Sequence, residues 1–253
     1  MFDLVSEAQA AALIGLLGGI ALGLAARIGR FCTLGAIEDA LYSTDDRRLR
    51  MWGIAIGVAV IGAHVAMDRG WLDATDTVYL SQAWNPLETV IGGLIFGYGM
   101  AMAGNCGYGA LARLGGGDLR SLVIVIVMGF SAAVVISGPL ALPRVWVFPV
   151  ETADTPQSLS HLLDSTLGIP ALLTGLAIGA AIFAVALANR GMLRSPGHIV
   201  WGAVVGLAVV SGWVGTYWIF DTGFGLEPIE SHTFADPIAD TLFYGMTASG
   251  NAV

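Results

Sequence analysis

The sequence predicts an all-α polytopic membrane protein with about six spanning helices. Of its 253 residues, 56% are hydrophobic and 12% are charged, whereas soluble domains carry about 25% charged residues. So few charges cannot cover a water-exposed surface, and so much apolar content excludes a disordered chain. Two cysteines are too few for a disulfide scaffold. The 35 glycines favour close helix packing or broken helices inside a membrane.

Six stretches of the chain lack any Asp, Glu, Lys or Arg. A spanning helix needs about 20 apolar residues, and all six are long enough or nearly so, the second being the shortest. They are 8–26, 51–67, 89–112, 121–143, 165–188 and 195–220. We expect them to be the membrane spans of a single integral-membrane domain, 1–253.

Arginine placement orients the predicted helices. All 11 basic residues are arginines, and most lie in alternate connections between the spans. By the positive-inside rule these connections face the cytoplasm, which places the N-terminus outside the inner (plasma) membrane. The opposite connections hold Arg69 and Arg144 with most of the 19 acidic residues. The arginines on the expected inner side are Arg27, Arg30, Arg47, Arg48, Arg50, Arg113, Arg120, Arg190 and Arg194.

An internal repeat relates two parts of the chain, about 8–50 and 87–120. The pattern Gly-Gly-x3-Gly-x8-Cys-x2-Gly-Ala begins at Gly18 and again at Gly92. Glycine is common in this chain, so glycine matches alone carry little weight. Both cysteines, Cys32 and Cys106, also fall in register, and that is much harder to obtain by chance.

In each copy an apolar, glycine-rich helix runs into a short polar break, at 27–32 and 103–107. A second helical run follows at 33–42 and 108–114, so each cysteine is expected at the N-terminal end of a half-helix. Broken helices at matched positions of a repeat point to the binding site of a transporter. Free N–H groups at a helix N-terminus attract anions, and a polarizable thiol suits a soft sulfur anion. The alternative is that both cysteines are ordinary buried packing residues.

Two segments resemble the YeeE/YedE sulfur-transport family: 29–36, which contains Cys32, and 104–121, which contains Cys106. The resemblance implies inner-membrane uptake of thiosulfate or a related small sulfur anion through a cysteine-lined path, and therefore a transporter rather than an enzyme. The substrate-handling role would fall on the two cysteines. A cytoplasmic sulfur carrier of the TusA/SirA type often works beside this family.

Family members usually run further and carry a late cysteine followed by Thr-Ile-Gly-Gln-Gly. This sequence ends at Val253 without that motif. It therefore resembles the N-terminal two-thirds of a longer architecture, and a separate chain or an oligomer could supply further spans.

Further residues are assigned to the site from their positions. Gly104, Asn105, Gly107 and Arg30 adjoin the two cysteines and are expected on the substrate path. Asn105 carries the only side-chain amide of the third stretch, and such a group in a span faces another helix or a cavity.

Three residues on the expected inner side are assigned more open roles. Glu38 is the first candidate for a proton-binding group, the alternative being a solvated carboxylate. Arg113 and Arg120 either attract the departing anion or pair with Asp118, which is placed to cap the next helix. No histidine lies at ligand spacing with Cys, Asp or Glu, so we expect no metal site and no cofactor.

Two other functions remain open on the sequence alone. One is a membrane sulfurtransferase, or sulfur-relay component, that forms a cysteine persulfide. The other is a non-transporting structural subunit of a membrane complex, in which the repeat serves only packing.

Overall fold

The computed structural model describes residues 6–153, 155–225 and 228–247, and this part of the chain is helical. Its β-structure consists of one isolated bridge, between Gln82 and Thr152. In chain order the helices are α1 (Glu7–Arg27), α2 (Thr33–Tyr42), α3 (Arg47–Asp68), α4 (Val78–Ser81), α5 (Pro86–Ala103), α6 (Gly107–Gly115), α7 (Arg120–Ile136), α8 (Ala141–Val147), α9 (Leu159–Leu167), α10 (Ala171–Leu187), α11 (Arg190–Leu193), α12 (Pro196–Thr222) and α13 (Ala235–Thr247).

The apolar helices fit a multi-pass membrane protein, as the composition predicts. Within the described ranges four segments are long and apolar enough to span: α1, α3, α12, and α5 running on through a break into α6. A fifth is the pair α7 and α8, bent by 63°. The apolar α10 has 17 residues, slightly fewer than a span usually needs. Each of the six expected stretches therefore corresponds to an apolar helix.

The chain divides into two compact units. The first comprises Met1–Trp84 and Thr152–His232, and the second Asn85–Glu151 and Thr233–Val253. One cysteine-bearing repeat falls in each unit. Residues 248–253, on which the comparison with longer family members depends, lie outside the described residues.

In the first unit α3 lies at the centre, packed against α10 and α12, and α12 packs in turn against α1. Glycines bring the backbones together. A Cβ atom at Gly202 would lie 2.8 Å from the carbonyl oxygen of Met51, and one at Gly206 would lie 2.6 Å from that of Ala55. Small residues four apart on a helix face permit this approach between membrane helices. The connections between helices that carry arginines meet at one end of this unit. There Arg48 contacts Arg30, and Arg47 and Arg50 contact Ser195 and Val185. This end is called the arginine end below.

In the second unit α7 packs against α6 and α13. A Cβ atom at Gly129 of α7 would touch Ile238 and Leu242 of α13, so this glycine admits the neighbouring helix. Helix α13 was not predicted from the sequence, because its 13 residues include acidic side chains and are too few to span.

Two expected span boundaries were wrong. The fifth stretch, expected from residue 165, begins as a helix at Ala171. Gly168 ends α9 in the left-handed conformation, and Pro170 lacks the N–H that a continuing helix would need. The fourth stretch was expected to run to residue 143. Its first helix, α7, ends at Ile136, and the chain continues in α8 at an angle of 63° to it.

Candidate functional site

The break in the first repeat lies between α1 and α2, at the arginine end. Arg30 has a positive φ of 54°, and Cys32 follows in extended conformation as the N-cap of α2. Between them the side chain of Phe31 is buried, with its ring centroid 4.5 Å from that of Trp52 on α3. This anchor fixes the break against the central helix of the unit and leaves Arg30 exposed.

The break in the second repeat lies between α5 and α6. Gly104 ends α5 with a φ of 69°, and Cys106 is the N-cap of α6. A Cβ atom at Gly107 would lie 2.6 Å from the sulfur of Met128, so the first turn of α6 lies directly against α7. The broken-helix units expected from the repeat are confirmed, and the second helices begin at Thr33 and Gly107.

At each of the two breaks the carbonyl oxygen of the left-handed residue accepts a hydrogen bond from a guanidinium group. Arg48 Nε donates to the carbonyl of Arg30 at 3.2 Å, and Arg113 Nη2 donates to that of Gly104 at 3.3 Å. Arg48 also forms an ion pair with Asp39 at 2.9 Å. From the sequence, Arg48 served only to orient the chain, because its contact with the break depends on how α3 packs.

The two thiols are free, half-buried and placed alike. Each cysteine is an N-cap whose own side chain makes no hydrogen bond to the first turn of its helix. Four residues on, Ala36 and Ala110 are buried and donate their N–H to the cysteine carbonyls, at 3.0 and 2.8 Å. Each thiol thus stands beside the positive end of a short helix.

Asn105 is the unusual side chain of the second break. It is only 3% exposed, and within the described structure neither Oδ1 nor Nδ2 has a hydrogen-bond partner. A buried polar group left in this state costs about 1–3 kcal/mol. Gly109 leaves room for it, because a Cβ there would lie 3.2 Å from Asn105 Cβ and 3.8 Å from Cys106 Sγ. The absence of a side chain at Gly109 therefore keeps the start of α6 uncrowded around both Asn105 and Cys106.

The arginine end of the first unit is rich in ion pairs. Arg47 pairs with Asp45 at 2.6 Å and Arg50 with Asp46 at 2.6 Å. Hydrogen bonds from Arg47 lower the pKa of the Asp45 carboxyl to about 2. Among the described residues Arg30 has no acidic partner within ion-pair distance, so its guanidinium remains available to an anion near Cys32.

The remaining expected site residues are placed as follows. Glu38 is exposed on α2. Arg113 donates to the carbonyl of Gly104 in the second break. Neither Arg113 nor Arg120 forms an ion pair with Asp118 in the part of the chain that the structure describes. Asp118 instead accepts the backbone N–H of Arg120 at 3.1 Å and so satisfies the first turn of α7.

Comparison with known proteins agrees with this architecture. The protein-family model described as sulphur transport matches residues 28–253. The chain is similar to the thiosulfate transporter TsuA of Escherichia coli (strain K12), with 34% identity over 122 residues, 48% of this chain and 33% of that protein. It is also similar to TsuA of Spirochaeta thermophila, with 25% identity over 205 residues, 78% of this chain and 61% of that protein.

The aligned part of this chain thus spans less than two thirds of the length of either relative. The family match nevertheless covers most of the chain and includes both cysteine-bearing breaks. The chain therefore belongs to the sulphur transport (YeeE/YedE) family.

Proposed function

We propose that this protein takes up thiosulfate, or a related small sulfur-containing anion, across the inner membrane through a path that includes Cys106 and Cys32. The observation that carries the proposal is the buried amide of Asn105, which has no hydrogen-bond partner within the described structure and belongs to the residue before the free Cys106. The curated relatives named as thiosulfate transporters support the choice of substrate.

The start of α6 has groups that suit both ends of thiosulfate. The oxygens of thiosulfate accept hydrogen bonds, and Asn105 Nδ2 and the opening N–H groups of α6 are donors. Its terminal sulfur is large and polarizable, as is the thiol of Cys106. The thiol contacts the anion by hydrogen bonding and dispersion, so no covalent bond is needed. Gly104 and Gly107 give the turn and the close packing that hold these groups together.

The first break provides a second contact point in this proposal. Cys32 again lies at a helix start, and the guanidinium of Arg30 supplies a positive charge without an acidic partner. Arg48 lies against the same turn, since a Cβ at Gly35 would lie 2.5 Å from its guanidinium nitrogens. Positive charge at the arginine end attracts the anion toward the cytoplasm, and Arg113 and Arg120 of the second unit attract the departing anion in the same way.

Other parts of the proposal concern the rest of the transport system. A TusA/SirA-type sulfur carrier receives the anion on the cytoplasmic side, and a separate chain, an oligomer or further spans complete the assembly. Glu38, exposed at the arginine end, is retained as a candidate proton-binding group.

The test is thiosulfate binding by the purified protein. Isothermal calorimetry on the parent, Asn105→Ala and Cys106→Ser should show at least a tenfold loss of affinity in each variant, since each removes a direct contact. Ser165→Ala on the exposed part of α9 is the matched control and should bind as the parent does. Equal affinity in all four proteins would refute binding at the start of α6. A persulfide on either cysteine, detected by mass spectrometry, would favour a sulfurtransferase instead.

A further inference from the structure

A segment of extended chain after α12, residues 228–232, runs back along that helix and is called the strap. The backbone N–H of Glu230 donates to the hydroxyl of Thr216 at 3.2 Å. Ser231 Oγ donates to the carbonyl of Val209 at 2.9 Å, and His232 hydrogen-bonds to the carbonyl of Ala208. These partners step toward the middle of α12, so the strap carries His232 to the depth of the membrane core. Irregular backbone at that depth occurs where it is covered by protein or lines a polar cavity.

The imidazole of His232 lies on α1. A Cβ atom at Gly18, near the middle of that span, would overlap the ring. Nε2 is buried and has no hydrogen-bond partner in the described structure. Since the ring bonds the Ala208 carbonyl, an acceptor, through its other nitrogen, Nδ1 carries a proton and donates it. The neutral ring therefore keeps a buried lone pair on Nε2. Buried polar atoms normally have a hydrogen-bond partner, so this exception needs an explanation.

Several charged and titratable groups lie on the elements around this ring, and among the described residues none of them forms an ion pair with it. They are Glu7 and Arg27 at the two ends of α1, His198 and Asp221 near the ends of α12, Tyr217 on the outer part of α12, and Glu230 two positions earlier in the strap. A proton on Nε2 would therefore create a charge that has no ion-pair partner within the described structure, which is costly in apolar surroundings. An entering anion would remove that cost.

A proton that moves with a divalent anion lowers the electrical work of its uptake. Moving negative charge into a cell works against the membrane potential, and the work is proportional to the net charge moved. A single proton that moves with thiosulfate halves this net charge. Glu38, the first candidate from the sequence, lies exposed at the arginine end, where water already stabilises its charge.

We propose that His232 is the proton-binding group that couples anion uptake to a proton, an inference that rests on the proposed function. As thiosulfate enters, Nε2 takes one proton from water on the outer side, and Nδ1–H stays on Ala208. The imidazolium and the dianion together carry one net negative charge. When the anion leaves for the cytoplasm, Nε2 releases its proton to the same side and the ring becomes neutral again.

The test uses the full chain reconstituted in liposomes, with the membrane potential clamped at zero by potassium and valinomycin. Initial uptake of ³⁵S-thiosulfate is measured with and without an acidic outside. The parent should respond to the gradient with a severalfold increase, and His232→Gln and His232→Asn should show none. His198→Gln, near the start of α12, the helix along which the strap runs, is the matched control and should respond as the parent does.

Exchange of labelled for unlabelled thiosulfate without a gradient separates the two proposals. If exchange persists in the His232 variants while stimulation is lost, the variants are folded and the coupling role is supported. Full stimulation in either variant, or no stimulation in a parent that exchanges thiosulfate, overturns the coupling role and leaves uptake intact. A parent without exchange overturns the proposed function, and the coupling role with it. If the variants lose exchange, proton uptake on binding is compared by calorimetry in two buffers: about one proton per anion in the parent supports the role, and none refutes it.

Discussion

Arg30 and Gly104 stand at the same position of the two cysteine-bearing repeats, and both have a left-handed backbone, with φ values of 54° and 69°. The carbonyl oxygen of each accepts a hydrogen bond from a guanidinium group, that of Arg48 or Arg113. A left-handed residue commonly reverses the chain after a helix. Two residues later comes the cysteine that opens the next helix, so the repeat preserves backbone conformation as well as sequence.

Replacing Arg30 separates backbone strain from side-chain charge. A non-glycine residue in this conformation costs about 1–2 kcal/mol, so Arg30→Gly should raise the thermal midpoint of the purified protein by a few degrees. The same change removes the guanidinium near Cys32, so thiosulfate uptake should fall. Arg30→Lys keeps the charge and should retain more uptake than Arg30→Gly. An Arg30→Gly variant with a lowered midpoint or full uptake would contradict this reading.

Replacing the Asn105 amide should raise the stability of the protein and abolish thiosulfate binding. Asn105→Leu replaces an unpartnered buried amide by an apolar side chain of similar size, so the free energy of unfolding should rise by about 1–3 kcal/mol. Thiosulfate binding should be lost in the same variant. Thermal unfolding with and without thiosulfate measures both effects. A destabilised Asn105→Leu variant would mean that the amide has a structural partner, and the site would have to be reassigned.

Gly109 and Gly115 form a matched pair on α6. A Cβ at Gly109 would enter the space of Asn105 and Cys106, whereas one at Gly115 would meet nothing within 4 Å. Gly109→Ala should therefore weaken thiosulfate affinity severalfold, and Gly115→Ala should leave it unchanged. Calorimetry on the two variants tests this directly. Equal affinities would show that the crowded side of the α6 start is not where the anion binds.

The ion pair of Asp45 and Arg47 predicts an acid-sensitive step at the arginine end. Hydrogen bonds from Arg47 hold the pKa of Asp45 at about 2, below its ordinary value of 3.8. A lowered carboxyl pKa contributes stability above the unfolded-state value, and this contribution is lost as pH falls through about 4 to about 2. Asp45→Asn should flatten the stability profile in that window, with lower stability than the parent above about pH 4 and equal stability near pH 2. Parallel profiles for the parent and the variant would show that the pair does not contribute.

Much of the site's framework could be predicted from local sequence. Polar residues and glycines interrupt two apolar runs at matched positions. From this pattern the second helices were predicted to begin at residues 33 and 108, and they are observed to begin at Thr33 and Gly107. Both signals are local, because a break needs only residues that leave the helical conformation. The family resemblance rested on the same two segments and is confirmed by the family match.

The contacts that complete the site could not be predicted in this way. Arg48 reaches the carbonyl of Arg30 from 18 positions along the chain, so its role depends on the packing of α3. The strap and α13 lack the length and apolar content of a span. The spacing of Ile238 and Leu242 after Pro237 was a weak signal for α13, and nothing local shows that His232 returns to Gly18.

The most direct test of the central claim is uptake of ³⁵S-thiosulfate by cells that lack other thiosulfate importers, comparing the parent with Cys32→Ser and Cys106→Ser at matched membrane levels. The account predicts uptake by the parent and loss of most of it in either variant, because each break provides one contact with the anion. Equal uptake by all three proteins would contradict a cysteine-lined path and leave the repeat with a packing role alone.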